Sequence, residues 1–294
     1  MLRRGDLVAF PTETVYGLGA DATNDQAVAS IFAAKDRPSL NPLIAHVPDV
    51  AAVAALCDIP PQAAALASAF WPGALTLVLP LRANSGISQL VTAGGNLLAV
   101  RVPDAPIAQS ILHAAGRPIA APSANPSGRI SPTSAEHVMA GLSGRIDAVI
   151  DGGPCPIGVE STIIGFADGP QLLRAGGVPA EAIEACLGET LAPAPTTETP
   201  IAPGQLASHY APGAAVRLNA VEADNEEFHI GFGEVEGKIS LSSTGDMVEA
   251  AANLFRLLHQ ADQSGKPIAV TPIPNRGLGR AINDRLRRAA APRG

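Results

Sequence analysis

The sequence predicts an α/β protein of two units, a large helix-covered sheet followed by a smaller α/β unit. Three observations predict it. Short apolar runs alternate with helical periodicities over residues 1–187, a Pro- and Thr-rich stretch without periodicity follows, and the alternation then resumes. At 294 residues the chain exceeds one typical domain. Its hydrophobic fraction of 47% against 16% charged residues describes a chain that can bury a core. Aromatic residues make up only 3%, so that core must be built from Ala, Val, Leu and Ile.

Leu7–Phe10 reads as a buried strand that Pro11 ends, opening a loop from Pro11 to Gly19. Ala27, Val28, Ile31 and Phe32 recur at helical spacing over residues 24–34. Strands are predicted at 43–47, 75–79, 97–102 and 119–121, with Ala-rich helices at 50–56 and 62–70 and another at 107–115. Ser131-Pro132 resembles an N-cap followed by Pro at the first helical position and predicts a helix through Met139. Short strands at 148–150, 161–164 and 171–173 precede a helix at 179–186. Residues 188–203 read as an extended linker. Strands at 215–218, 229–232, 238–241 and 268–271 then alternate with an amphipathic helix at 246–261 and an Arg-rich helix from Leu278. The expected division is residues 1–187, a linker at 188–213, and residues 214–294.

The net charge of −7 disfavours a protein that holds nucleic acid through its phosphates. Three well-separated cysteines and scattered histidines offer neither a disulfide framework nor a zinc spacing, and no metal site is expected. No secretory leader pattern is visible, and prolines interrupt the uncharged stretch 59–81, so no membrane span is predicted and the cytoplasm is the expected compartment. Standard phosphate-loop, dinucleotide, zinc-protease and nucleophile-elbow motifs are absent from the sequence.

Polar segments break the apolar pattern where chemistry concentrates. Pro11–Gly19 (PTETVYGLG) places hydroxyls and a carboxylate after a strand, which suits a ligand crevice as well as an ordinary loop. Lys35 and Arg37 put two cations just past a helix, matching either an anion such as a triphosphate or the helix dipole. Lys35 is the only lysine before Lys238, which favours the first reading. Pro122–Arg129 (PSANPSGR) lets backbone N–H groups approach phosphate oxygens, or simply turns the chain. Arg101 is a lone charge inside an apolar strand and needs a carboxylate partner from the protein or a ligand.

In order and spacing, PTETVYGLG, KDRP with NPL and His46, APSAN with SGRISPT, and GVESTI resemble the YrdC/TsaC family. The segment Pro203–Pro212 resembles its long two-domain, threonylcarbamoyl-AMP synthase form. The resemblance implies a YrdC-like twisted open sheet with a small Rossmann-like α/β domain behind it. The implied reaction joins L-threonine, bicarbonate and ATP, with Mg²⁺, into threonylcarbamoyl-adenylate and pyrophosphate. A downstream tRNA threonylcarbamoyltransferase would then modify adenosine 37, with direct tRNA contact by this chain left open. By the same resemblance Thr14, His46, Arg101, the Ala121 backbone and Ser161 would hold threonine, with Arg101 on its carboxylate. Arg37, Asn41, Ser123, Asn125, Ser131, Arg174 and Tyr210 would hold ATP, Lys35 would face the phosphates and the carbamate, and Lys35, Arg37 and Mg²⁺ would neutralise the pyrophosphate leaving group. Two other readings compete: a carbamoyl-adenylate former of hydrogenase maturation, and a double-stranded-RNA-binding or translation-associated module.

Overall fold

The structure, a computed structural model, describes residues 1–38, 41–194, 202–203 and 209–292. Residues 39–40 of the Lys35–Leu43 segment, and linker residues 195–201 and 204–208, lie outside the described residues.

The chain forms β1 (Val8–Pro11), β2 (Tyr16–Asp21), α1 (Asp25–Lys35), β3 (Ile44–His46), α2 (Val50–Leu56), α3 (Pro61–Phe70), β4 (Leu75–Pro80) and β5 (Leu97–Arg101). Then come α4 (Pro106–Ala115), β6 (Ile119–Ala120), α5 (Ala135–Leu142), β7 (Ala148–Val149), β8 (Thr162–Gly165), β9 (Gln171–Arg174), α6 (Ala180–Leu187) and β10 (Ala192–Pro193). These strands make one ten-stranded sheet, ordered β10-β9-β8-β4-β5-β3-β6-β2-β1-β7. The sheet is mixed: β3 runs parallel to β5 and β4 to β8, while β2 pairs antiparallel with β1 and β6. The rest of the chain forms β11 (Val216–Arg217), β12 (Phe228–Gly231), β13 (Ile239–Ser240), α7 (Met247–Asp262), β14 (Ile268–Val270) and α8 (Gly279–Ala289). Its four strands are all parallel, in the order β11-β14-β12-β13. Both sheets and their helices confirm the expected two-part α/β architecture. Among the described residues no helix is long and apolar enough to cross a membrane.

Three local expectations are corrected. The predicted loop Pro11–Gly19 is a hairpin, whose turn Thr12–Val15 closes on the Thr12 hydroxyl. That hydroxyl donates to the Val15 carbonyl at 2.7 Å and accepts from the Thr14 and Val15 amides. Glycine spacing hides β2 in the sequence because glycine is a poor strand former. Here it is required: a Cβ on Gly19 would lie 2.6 Å from the Phe10 ring. The helix predicted from Ser131 starts at Ala135, where the Ser134 side chain caps the amide of His137. Ser131 is drawn elsewhere, into a side-chain bond in the interior. Ala192–Pro193, read as linker, adds to the sheet edge parallel to β9.

The two units share an apolar seam. Val15, Ile130, Val159 and Tyr210 pack into one cluster with Leu254, Phe255 and Leu258 of α7 and Ile282 and Leu286 of α8. Each such Leu, Ile or Phe side chain contributes about 1.5–3 kcal/mol on full burial. Gly158 lies against α7 with φ +74°, and a Cβ there would sit 2.4 Å from the Ala251 carbonyl oxygen. The His137 and His259 rings stack across the same seam at 3.9 Å.

Candidate active site

A cleft opens where the β1–β2 turn, the ends of β3 and β5, the segment after β6, and the segment before β8 converge. Thr14, Arg37, His46, Arg101, Ala121, Ser123, Ser161, Arg174 and Tyr210 all line it, so nine of the thirteen expected residues meet at one place. Lys35, Asn41, Asn125 and Ser131 do not line it and stand behind its wall.

One end is centred on Arg101. Parallel register puts His46 beside Arg101 at the ends of β3 and β5. The Arg101 guanidinium donates to the Gly73 carbonyl at 3.1 Å, to the Thr14 hydroxyl at 2.8 Å, and to the Glu13 carboxylate. Arginine carries five N–H groups, so donors remain for a further anion. Burial pushes the Glu13 carboxyl up, but Arg101 outweighs it and leaves Glu13 below its usual range. Burial, reinforced by Arg101, pushes His46 down to about 3, so its imidazole is neutral at ordinary pH. The Ala121 N–H is committed to the Ile44 carbonyl at 3.0 Å.

The other end is built around Arg37, Arg174, Glu160 and Tyr210. Arg174 donates to the Ser161 carbonyl at 2.9 Å and to its hydroxyl at 3.1 Å, and reaches the Pro203 carbonyl at 3.4 Å. Arg37 donates to the Pro42 carbonyl at 3.1 Å, and burial lowers its guanidinium to about 10. Tyr210 stands at φ +61°, a left-handed conformation that costs a bulky residue about 1–3 kcal/mol and tends to persist at functional sites. Its N–H donates to the neighbouring His209 Nδ1 at 2.9 Å.

Behind this wall, Lys35 is fully buried at the end of α1, and its ammonium donates to the carbonyls of Ser123 (2.5 Å) and Asn125. Burial, then the nearby Arg37 charge, drives Lys35 well below the usual lysine range. The Asn125 amide nitrogen donates to the Pro126 and Arg129 carbonyls, closing the PSANPSGR loop on itself. Both polar ends of the buried Asn41 amide lack a partner among the described residues. Ser131 Oγ donates to Glu160 Oε1 at 2.5 Å.

Three residues of the wall escaped the sequence reading. Glu160 and His209 both line the cleft, and Glu160 lay inside the quoted GVESTI segment. Arg285 is the least legible. It sits in the Arg-rich helix from Leu278, where the sequence does not mark it off from the other arginines, yet it is fully buried and pairs with Glu160 at 2.9 Å. Burial pushes the Glu160 carboxyl up, but Arg285, Arg174 and the bonds from Ser131 and Arg285 together hold it below its usual range.

Comparison with known proteins gives the family. The Sua5/YciO/YrdC family model, described as telomere recombination, matches residues 1–176, and the threonylcarbamoyl-AMP synthase C-terminal domain matches residues 178–291. The chain is 41% identical to the threonylcarbamoyl-AMP synthase of Bacillus subtilis (strain 168), over 100% of this chain and 92% of that protein. It is 42% identical to the threonylcarbamoyl-AMP synthase of Pyrococcus abyssi, over 99% of this chain and 92% of that protein. The crystal structure of P. abyssi Sua5 complexed with L-threonine superposes with a TM-score of 0.91 at 41% identity, covering 98% of this chain and 92% of that one. Matched along its length in sequence and in fold, the chain belongs to the Sua5/YrdC family, in the form that carries a threonylcarbamoyl-AMP synthase C-terminal domain.

Proposed function

We propose that the chain is a threonylcarbamoyl-AMP synthase, converting L-threonine, bicarbonate or CO₂ and ATP into threonylcarbamoyl-adenylate and pyrophosphate. The observation that carries the reading is a single cleft with two separate cationic ends, Arg101 at one and Arg37 with Arg174 at the other. Such a cleft suits an amino-acid carboxylate and a nucleotide triphosphate held side by side. Its near relative from P. abyssi was crystallised with L-threonine, which supports the assignment of the amino acid.

In this reading the free donors of Arg101 take the threonine carboxylate, with Thr14, His46, the Ala121 carbonyl and Ser161 around the rest of the molecule. The neutral His46 accepts or donates a hydrogen bond without adding charge beside the ammonium group. Threonine's ammonium group gives one proton to bicarbonate, which leaves as CO₂ and water; the free amine nitrogen then bonds to the carbon of CO₂ and sheds a second proton to water, giving a carbamate. A carbamate oxygen then attacks the α-phosphorus, and the bond to the bridging oxygen breaks as pyrophosphate leaves. The protein's share is positioning and charge stabilisation. Arg37, Asn41, Ser123 and Arg174 line or back the phosphate path, and Tyr210 covers the nucleotide. Lys35, Asn125 and Ser131 act one layer back: Lys35 fixes the Ser123–Asn125 carbonyls, Asn125 closes that loop, and Ser131 orients Glu160.

The carboxylates nearest the cleft, Glu13 and Glu160, are each committed to an arginine, and among the described residues no group of three His, Cys, Asp or Glu side chains converges. The described residues therefore offer no fitting Mg²⁺ cage; magnesium would arrive bound to ATP as substrate. The product would pass to a tRNA threonylcarbamoyltransferase in the cytoplasm, a setting that suits three unpaired cysteines. Residues 1–187 would carry the chemistry, with 188–213 bridging to a second unit at 214–294 that completes the nucleotide end.

The test is pyrophosphate release from ATP with bicarbonate, with and without L-threonine. Release that needs both threonine and bicarbonate, and that Lys35→Ala lowers at least tenfold, is expected. Release independent of threonine in folded protein would overturn the assignment.

A further inference from the structure

The Arg285 side chain crosses from the second unit into the cleft wall of the first, where Nε and Nη1 are bonded and the buried Nη2 has no hydrogen-bond partner among the described residues. Its Nε donates to Glu160 Oε2 at 2.9 Å, and its Nη1 donates to the Ala175 carbonyl at 2.7 Å and to Asp284 at 3.0 Å. The guanidinium lies 5.2 Å from the centre of the Tyr210 ring, which also packs 5.6 Å from Phe255 of α7. One turn of α8 therefore holds two residues that line the cleft. The same helix accepts the His209 N–H through the Arg288 carbonyl at 3.3 Å, so the chain entering Tyr210 is fixed there too.

Charge explains why such a group is needed. Glu160 stands in a cleft that would receive a polyanion, and an uncompensated carboxylate there would repel it. Arg285 and Arg174 bracket that carboxylate, and Ser131 occupies its other oxygen. A fork-shaped cation bound at fixed angles also sets the direction of the carboxylate, which a lysine could not do as well.

We propose that Arg285 is a positioning residue for nucleotide binding: from the last helix of the second unit it neutralises and orients Glu160 and holds the Tyr210 ring over the cleft. This inference rests on the reading of the cleft as an ATP site. It gives the second unit a part in the reaction without any contact of its own with the reacting atoms.

The experiment compares wild type, Arg285→Lys, Arg285→Met, Glu160→Gln and the double variant Arg285→Met/Glu160→Gln. Steady-state pyrophosphate release gives KM for ATP and for threonine, and calorimetric titration gives the Kd for ATP. Arg285→Met should raise KM and Kd for ATP at least tenfold while KM for threonine stays within threefold. Arg285→Lys should fall between that variant and wild type. Removing the stranded carboxylate in the double variant should recover at least threefold of the ATP affinity lost in Arg285→Met. A drop in melting temperature with unchanged ATP constants would make Arg285 merely structural and overturn the proposal. Should Arg285→Met not fold, Arg285→Lys with wild-type ATP constants would overturn it equally. Wild type that binds ATP without threonine-dependent release would remove the proposed reaction alone, and the ATP Kd series would still decide the role of Arg285.

Discussion

The two ends of the cleft are built in different ways. The Arg101 end comes from neighbouring strands of one sheet: register alone brings His46 beside Arg101, and the β1–β2 turn delivers Glu13 and Thr14. The Arg174 end is assembled from the segment before β8, the chain around Tyr210, and Arg285 of α8, which lies 125 positions from its partner Glu160. The first end is complete within the large sheet. The second is complete only when the small unit is docked. Threonine recognition should therefore be robust to disturbance at the seam, and nucleotide recognition should not.

The largest expected effect is at the self-contained end. Arg101→Ala leaves Glu13 buried without its cation, which should lower stability by about 3–5 kcal/mol. It should also weaken L-threonine binding about 100-fold, or about 2.8 kcal/mol. The double variant Arg101→Ala/Glu13→Gln should regain stability in denaturant titration without regaining threonine binding. Recovery of both would mean that Arg101 serves only the ion pair.

Acid should press on both ends at once. Burial holds His46 and His209 down at about 3, far below the usual value of 6.5. Between those values the unfolded chain binds protons that the folded chain refuses, so stability is greatest above about 6.5 and falls as pH drops. Each histidine contributes a slope of up to about 1.4 kcal/mol per pH unit. Glu13 and Glu160, held low, have the same sign but add to it only below about 4.5. Because burial also holds His259 down at about 4 and lowers His137, chemical unfolding of His46→Gln between pH 6.5 and 4.5 should lose about a quarter to a third of the wild-type slope. An unchanged slope would exclude a buried neutral His46.

The smallest effect should come from Tyr210→Phe, which keeps the ring against Phe255 and Arg285. It should change KM for ATP less than about threefold, under about 1 kcal/mol. Tyr210→Ala, which removes the ring, should cost much more than Tyr210→Phe, and equal losses would shift the role from the ring to its hydroxyl.

The sequence exposed most of the fold, because apolar periodicity marks nearly every helix and strand of both units within a few residues. It exposed the self-contained end of the cleft for the same reason. A lone arginine in an apolar strand and a hydroxyl-rich segment after a strand announce themselves locally. What stayed hidden depends on distant partners. Tyr16–Asp21 looks like a loop until Phe10 and Ile119 crowd Gly19, and Ser131 looks like a helix cap until Glu160 claims its hydroxyl. Arg285 is one of five arginines between positions 276 and 288, and only the fold separates it from its solvent-facing neighbours.

Gly158 offers the most direct test of the divided cleft, since an added methyl would strike the Ala251 carbonyl of α7 and its φ of +74° disfavours any side chain. L-threonine and ATP should be titrated separately into wild type and Gly158→Ala. The account predicts a threonine Kd within twofold of wild type and an ATP Kd at least tenfold weaker. Equal losses for both ligands, or a loss confined to threonine, would contradict it.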